Sequence, residues 1–324
     1  MSSQTQEPVR ADLIAARDGT IVADLPHNAL IEVSGDDATA FLHAQFTNDV
    51  QALEEDGTQW NGWCSAKGRL LATFLLVRRP GGYLLVLPAE IAAAFTKRLG
   101  MFVLRSKVKI RDASSDYARI GIAGTQAATI VQRHWGRAPA ALRSTEKDAA
   151  VVTALAADRF IAFVPQSGAP AILEAFGREA TRAGADAWEW LQIRSGVPTI
   201  VTATQDAFVP QMANFELVGG VSFKKGCYPG QEIVARTQYR GILKRRMALA
   251  HVDGPAPSAG QSVYSKEFGD QAAGQVVNAA PSPEGGSDVL VVAQIDSLRS
   301  RDLRLAAPDG PPLEIRSHPA TEAA

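Results

Sequence analysis

From Gly241 onward the chain reads as a succession of short strands and sharp turns, and this feature limits the fold most. The runs "RRMALAHVDG", "QSVYSKEF", "AAGQVVNAA", "DVLVVAQID" and "DLRLAA" read as short strands. The intervening "GPAPSAG" and "PSPEGGS" carry strong turn chemistry. Strands this short and this closely spaced predict a small antiparallel barrel or sandwich of about 75 residues.

The sequence before Gly241 mixes helical and strand periods without strict alternation, which predicts an α+β class. "DDATAFLHAQFTNDV" places Ala38, Phe41, Leu42, Gln45 and Phe46 on one helical face, with Asp36 or Asp37 available as a cap. "RLLATFLLV" and "YLLVLP" flank "RRPGG" and read as a β-hairpin. "AEIAAAFTKRLGMFVL" reads as an amphipathic helix with Ile91, Phe95, Leu99 and Phe102 in register. "SKVKIRD", "YARIGIAG" and "DRFIAFVP" read as strands, and "QAATIVQRHWG" as a helix. Gly136 to Ala150 lacks periodicity and reads as an exposed loop. "AILEAFGREATRAG" and "AWEWLQIRSG" read as helices closed by glycine. The expected organisation is residues 1–240 as the α+β region, 241–317 as the barrel, and 318–324 as a frayed tail.

With 324 residues, two or three units are expected. The formal net charge of −1 points to neither nucleic acid nor an anionic membrane as a global partner. The polar N-terminus does not read as a signal peptide. The longest apolar runs, such as "LLATFLLV", fall well short of the roughly 20 residues of a spanning helix. A cytoplasmic protein without a membrane partner is therefore expected. Cys64 and Cys227 are the only cysteines, which excludes a disulfide scaffold and a cluster held by four of the chain's own thiolates.

Charge is concentrated locally. Lys224 to Arg246 holds Lys224, Lys225, Arg236, Arg240, Lys244, Arg245 and Arg246 against the single acid Glu232, a net +6. This stretch is either a solvated face or an anion site for a carboxylate-rich cofactor, a phosphate or an RNA backbone. Its aromatics, Phe223, Tyr228 and Tyr239, are sparse for a base-stacking platform.

Inside it, "KKGCYPGQE" presents Cys227. A lone cysteine is commonly a small buried hydrophobe. Against that stand the neighbouring Lys224 and Lys225, which favour thiolate, and two flanking glycines that allow close approach by a ligand. Pro229 suits the first turn of a helix through "GQEIVARTQY", whose positive end would face the thiol. Cys64 follows a tryptophan and reads as structural. Gln211, Asn214 and Glu216 in "FVPQMANFELVGGVSF" offer donors and acceptors suited to the edge of a heterocycle, or form a self-satisfied loop. His27, His43, His134, His251 and His318 show no metal-ligand spacing, and no nucleophile elbow or phosphate loop is present.

"KGCYPGQEIVAR", "FLHAQFTNDV", "CSAKGRLLATFLLV", "FVLRSKVKI" and "LQIRSGVPTI" together resemble the YgfZ family of folate-binding proteins, relatives of the glycine cleavage T-protein. The resemblance covers most of the chain. It implies a cloverleaf of three subdomains around a central channel, the last a β-barrel, with tetrahydrofolate in that channel. It implies support of iron–sulfur enzyme assembly or repair, with iron–sulfur client enzymes or assembly proteins as partners, and an indirect effect on tRNA modification. Glu216 then matches the pterin-facing acid, with Gln211 and Asn214 beside it. Lys225 and Cys227 belong to the signature, Cys227 as a reactive or ligand thiol. Arg194 matches a family position, and Arg236 and Arg240 are candidates for the glutamate tail. Where the T-protein carries a catalytic aspartate, this chain has Leu70, Leu71, Ala72 and Thr73. That departure weighs against aminomethyl transfer, the alternative activity, because an apolar side chain cannot handle a proton. Direct tRNA binding is a second alternative, carried by the basic stretch.

Overall fold

The computed structural model describes residues 3–240 and 243–317; the side chains of residues 3–6 and 240 are outside the description. The expected tail at 318–324 and the boundary at Gly241 also lie outside the described residues.

In chain order the elements begin with α1 (Ser3–Asp18), β1 (Thr20–Asp24), β2 (Asn28–Ser34), α2 (Ala38–Gln45) and β3 (Thr58–Cys64). They continue with β4 (Leu70–Arg79), β5 (Gly82–Pro88), α3 (Ala89–Gly100), β6 (Lys109–Asp112) and β7 (Tyr117–Gly124). Next come α4 (Ala127–Trp135), β8 (Ser144–Lys147), β9 (Ala150–Ala156), β10 (Arg159–Pro165) and α5 (Ala169–Gly177). After β11 (Thr181–Arg182) lie α6 (Ala185–Arg194) and α7 (Gln231–Arg240). The last part holds β12 (Arg245–Val252), β13 (Ser262–Tyr264), β14 (Gly274–Pro281), β15 (Ser287–Gln294), α8 (Ile295–Ser300), β16 (Arg304–Leu305) and β17 (Glu314–Ser317).

This is an α+β fold of two compact units. The first comprises Met1–Gln45, Asp49–Asn61 and Phe74–Trp188. It holds the mixed sheet β11-β1-β7-β10-β9-β8 and most of the sheet β3-β4-β5-β2-β6. Alternation along β7 and β10 sends Ile120, Ile122, Phe160 and Ala162 to one face, where Ile130, Val131 and Trp135 of α4 and Phe176 of α5 close the core. The hairpin β4–β5 forms with the expected antiparallel register. In α3, Ile91, Phe95 and Leu99 are buried as expected, but Phe102 is 43% exposed. The helix ends at Gly100, so the register no longer applies two residues later. The segment expected as a loop between Gly136 and Ala150 contains β8, which pairs with β9. Its outer residues are polar and exposed, which hides the strand period.

The second unit comprises Phe46–Asn48, Gly62–Thr73 and Glu189–Ala324. Its sheet, β16-β13-β14-β15-β12-β17, is antiparallel throughout, as the turn-rich C-terminal sequence leads one to expect. Val252, Val263, Val276, Val289 and Val291 fill its inner face, and Leu298 of the short α8 caps it. Among the described residues, no helix is long and apolar enough to cross a membrane.

Candidate functional site

All expected site residues lie in the second unit, and all but Arg236 and Arg240 fall into three groups. The first is the signature turn. Gly230 adopts φ +77°, and a Cβ there would stand 2.3 Å from the Ser65 carbonyl oxygen and 2.6 Å from the Gly68 Cα. Gly68 has φ +68°. The turn after β3 and the turn before α7 therefore touch backbone to backbone, which only glycine permits. This corrects one expectation: at Gly230 the close approach serves the protein's own chain. A second correction concerns Pro229. The helix begins at Gln231, so Pro229 sits in the turn ahead of it.

Lys225 is buried, donates from Nζ to the Phe46 carbonyl at 2.6 Å and lies 4.8 Å from the Tyr228 ring centroid. Its ammonium is engaged within the fold, whereas Cys227 is a free, exposed thiol. Cys64 is buried, and burial, aided by the Asp206 carboxylate, pushes its thiol well up, so it stays protonated. The Tyr228 hydroxyl is likewise pushed up, mainly by burial.

The second group is built on the single helical turn Pro210–Ala213 and the left-handed Asn214, φ +54°. Asparagine tolerates this conformation better than most residues. Gln211 Nε2 donates to the Val234 carbonyl of α7 at 2.8 Å, and Asn214 Nδ2 to the Met247 carbonyl of β12 at 2.8 Å. Arg246 Nη1 donates to Gln211 O at 2.8 Å, to Asn214 Oδ1 at 3.3 Å and to Glu216 Oε1. Burial raises the Glu216 carboxyl above the ordinary value, and Arg246 pulls it part of the way back. Two acceptors remain buried and unpartnered, Glu216 Oε2 and Gln211 Oε1.

The third group surrounds Asp288. Trp190 Nε1 donates to Asp288 Oδ2 at 2.8 Å, and His251 Nδ1 lies 2.9 Å from Oδ1. Arg194 Nη1 is 3.9 Å from Oδ2, and the Arg194 side chain is 45% exposed. Arg194 and Asn214 line one cavity of about 250 Å³, walled by Leu217, Met247, Leu249 and Leu290. The expected residues Gln211, Asn214 and Glu216 are thus brought together, and Arg194 joins them through the cavity that Asn214 shares. Arg236 is not part of this group: it is exposed on α7 beside Glu232 and Tyr239. Arg240 is the last residue of α7, and its side chain lies outside the description.

Arg246, Trp190, His251 and Asp288 were not singled out by the sequence as site residues. Arg246 was visible only as one charge in a basic stretch. That stretch presents less charge outward than its count suggests, because Lys225 is buried and Arg246 is paired with Glu216. In the stretch Leu70 to Thr73, Thr73 is buried, with Oγ1 donating to the Pro198 carbonyl at 2.8 Å and accepting from Ile200 N at 3.0 Å.

A relative from Vibrio vulnificus strain CMCP6, called tRNA-modifying protein YgfZ, is 31% identical over 311 residues, covering 94% of each chain. The chain belongs to the YgfZ family. A YgfZ protein of Klebsiella pneumoniae strain 342 is 31% identical, covering 90% of each chain. A YgfZ protein of Escherichia coli O7:K1 is 28% identical, covering 97% of this chain and 98% of its own. The family model of the GCVT N-terminal domain matches residues 2–146. The glycine cleavage aminomethyltransferase T of Bartonella henselae shares the fold, with a TM-score of 0.79 at 17% identity, covering 96% of this chain and 89% of that one. This YgfZ chain therefore has the T-protein fold.

Proposed function

We propose that this chain binds tetrahydrofolate and serves as an accessory factor in the assembly or repair of iron–sulfur enzymes, acting on tRNA modification through such an enzyme. The observation that carries the folate reading is the pair of buried, unpartnered acceptors, Glu216 Oε2 and Gln211 Oε1. Buried acceptors left without donors cost about 1–3 kcal/mol each, so a ligand that supplies N–H groups recovers that energy. A reduced pterin presents several N–H donors along one edge, which suits these two acceptors. Glu216 and Gln211 would hold the ring, the apolar cavity walls would take its body, and Arg194 would face a carboxylate.

The T-protein fold and the printed names of the YgfZ relatives support the folate and tRNA-modification parts of this reading. The iron–sulfur part rests on the family resemblance and on the exposed Cys227 at the signature turn. The thiol faces outward, where a client protein, a cluster or a sulfur species can reach it. The reading places the protein in the cytoplasm. Direct tRNA binding is the weaker alternative, because two of the seven basic side chains are committed inward.

The test is a titration with tetrahydrofolate held reduced under argon. The parent protein and Cys227→Ser should bind alike, and Glu216→Ala should bind at least tenfold more weakly. Equal binding by Glu216→Ala, or none by the parent, would overturn the assignment.

A further inference from the structure

We propose that Arg246 is the positioning residue of this site: it ties one Glu216 carboxylate oxygen to the fold and leaves the other, Oε2, buried and without a partner until a ligand engages it. The proposal rests on the folate reading given above. Its geometry stands on three contacts from a single nitrogen. Arg246 Nη1 reaches Gln211 O at 2.8 Å, Asn214 Oδ1 at 3.3 Å and Glu216 Oε1. One guanidinium thus gathers the three residues that would face the pterin. These residues lie on a turn with little regular structure of its own, a single helical turn followed by a left-handed asparagine. Arg246 comes from β12, which is paired along its length with β15. The sheet therefore acts as the rigid support and Arg246 as its arm, an arrangement that holds site residues better than a loop alone.

The same contact decides the charge that the ligand meets. The Glu216 side chain is only 7% exposed. Its carboxyl is raised by burial and lowered by Arg246 and by its own backbone N–H; no other charged group acts on it among the described residues. The facing turn supplies only the neutral Gln211 and Asn214, and α7 offers a carbonyl, Val234 O, to Gln211. Without Arg246, only the backbone N–H opposes the burial effect, and Glu216 takes up a proton at higher pH. A protonated carboxyl presents an O–H where the ligand needs an acceptor. Arg246 is exposed too little to serve as a surface charge, at 22%, and its visible partners are all within this turn.

The experiment pairs a binding readout with one that does not depend on folate. Tetrahydrofolate affinity is measured from pH 5.5 to 8.5 for the parent, Arg246→Gln and Arg246→Lys. In the ligand-free proteins the Glu216 midpoint is read by ¹³C-carboxyl NMR. Arg246→Gln should bind at least tenfold more weakly at neutral pH, with the Glu216 midpoint and the acid limb of binding both moved upward. Arg246→Lys should restore part of both, because it keeps the charge but not the fork. An unchanged midpoint or unchanged affinity in Arg246→Gln overturns the proposal. If the parent binds no folate, the folate reading and the ligand-positioning role fall together, while a shifted midpoint still supports control of the Glu216 charge by Arg246. Should Arg246→Gln fail to fold, Arg246→Lys carries the test: weaker binding together with a raised Glu216 midpoint supports the proposal, and parent-like affinity and midpoint overturn it.

Discussion

Gly230 rests directly on Gly68, so closely that a Cβ on Gly230 would stand 2.6 Å from the Gly68 Cα. A Cβ on Gly68 would in turn stand 2.8 Å from the Ile233 Cβ. Gly230→Ala combines a left-handed φ with contact against the Ser65 carbonyl, and should destabilise by about 2–4 kcal/mol. Urea unfolding checks this. A loss below about 1 kcal/mol would show that the two turns can part without consequence.

Lys225 holds the signature turn from inside. Lys225→Met keeps much of the side-chain volume but removes the donor to the Phe46 carbonyl. The expected cost is about 1–3 kcal/mol, the usual range for a buried acceptor deprived of a donor. Unfolding curves for the variant should show a lower midpoint with an unchanged slope. If stability is unaffected, the lysine is held for its chemistry rather than for the fold.

The two cysteines should differ sharply in reactivity. Cys227 is exposed, whereas Cys64 is sealed in and held as the thiol. Iodoacetamide should add a single label to the native protein, at Cys227, and a second only in denaturant. Mass spectrometry of the peptides decides it, and rapid native labelling of Cys64 would contradict the burial described here.

Glu216 gives stability a defined pH dependence. Its folded-state carboxyl is raised above the ordinary value, so the native state holds this proton more tightly than the unfolded chain. The contribution to stability therefore declines as pH rises from the ordinary carboxylate range through the raised value, and is flat above it. Glu216→Gln lacks this decline. The unfolding free energy of the variant relative to the parent should increase across that window, and a pH-independent difference would show that Glu216 does not titrate as described.

Much of the fold was legible because periodicity reports burial directly. The hairpin β4–β5, the face of α3 and the turn-rich run after Gly241 all follow from spacing. Phe102 misled because its register outlasts its helix, and β8 was hidden because polar edge residues leave no strand period. The site was legible only where its members share a segment. Gln211, Asn214 and Glu216 lie within six positions, and Lys225 and Cys227 within three. Arg246 reaches them from a strand 30 positions beyond Glu216. The grouping of Trp190, His251 and Asp288 depends on the pairing of β12 with β15, which sets His251 opposite Asp288. No local pattern encodes such a register.

The sealing of Cys64 has a consequence for any oxidative event at the signature turn. A sulfenic acid formed on Cys227 would find no resolving thiol within its own native chain, since the only other one is buried and protonated. Its return to the reduced state must then draw on a thiol from another molecule. The chain cannot bank an oxidising equivalent as an internal disulfide, and each redox cycle at Cys227 is obligately a two-molecule event.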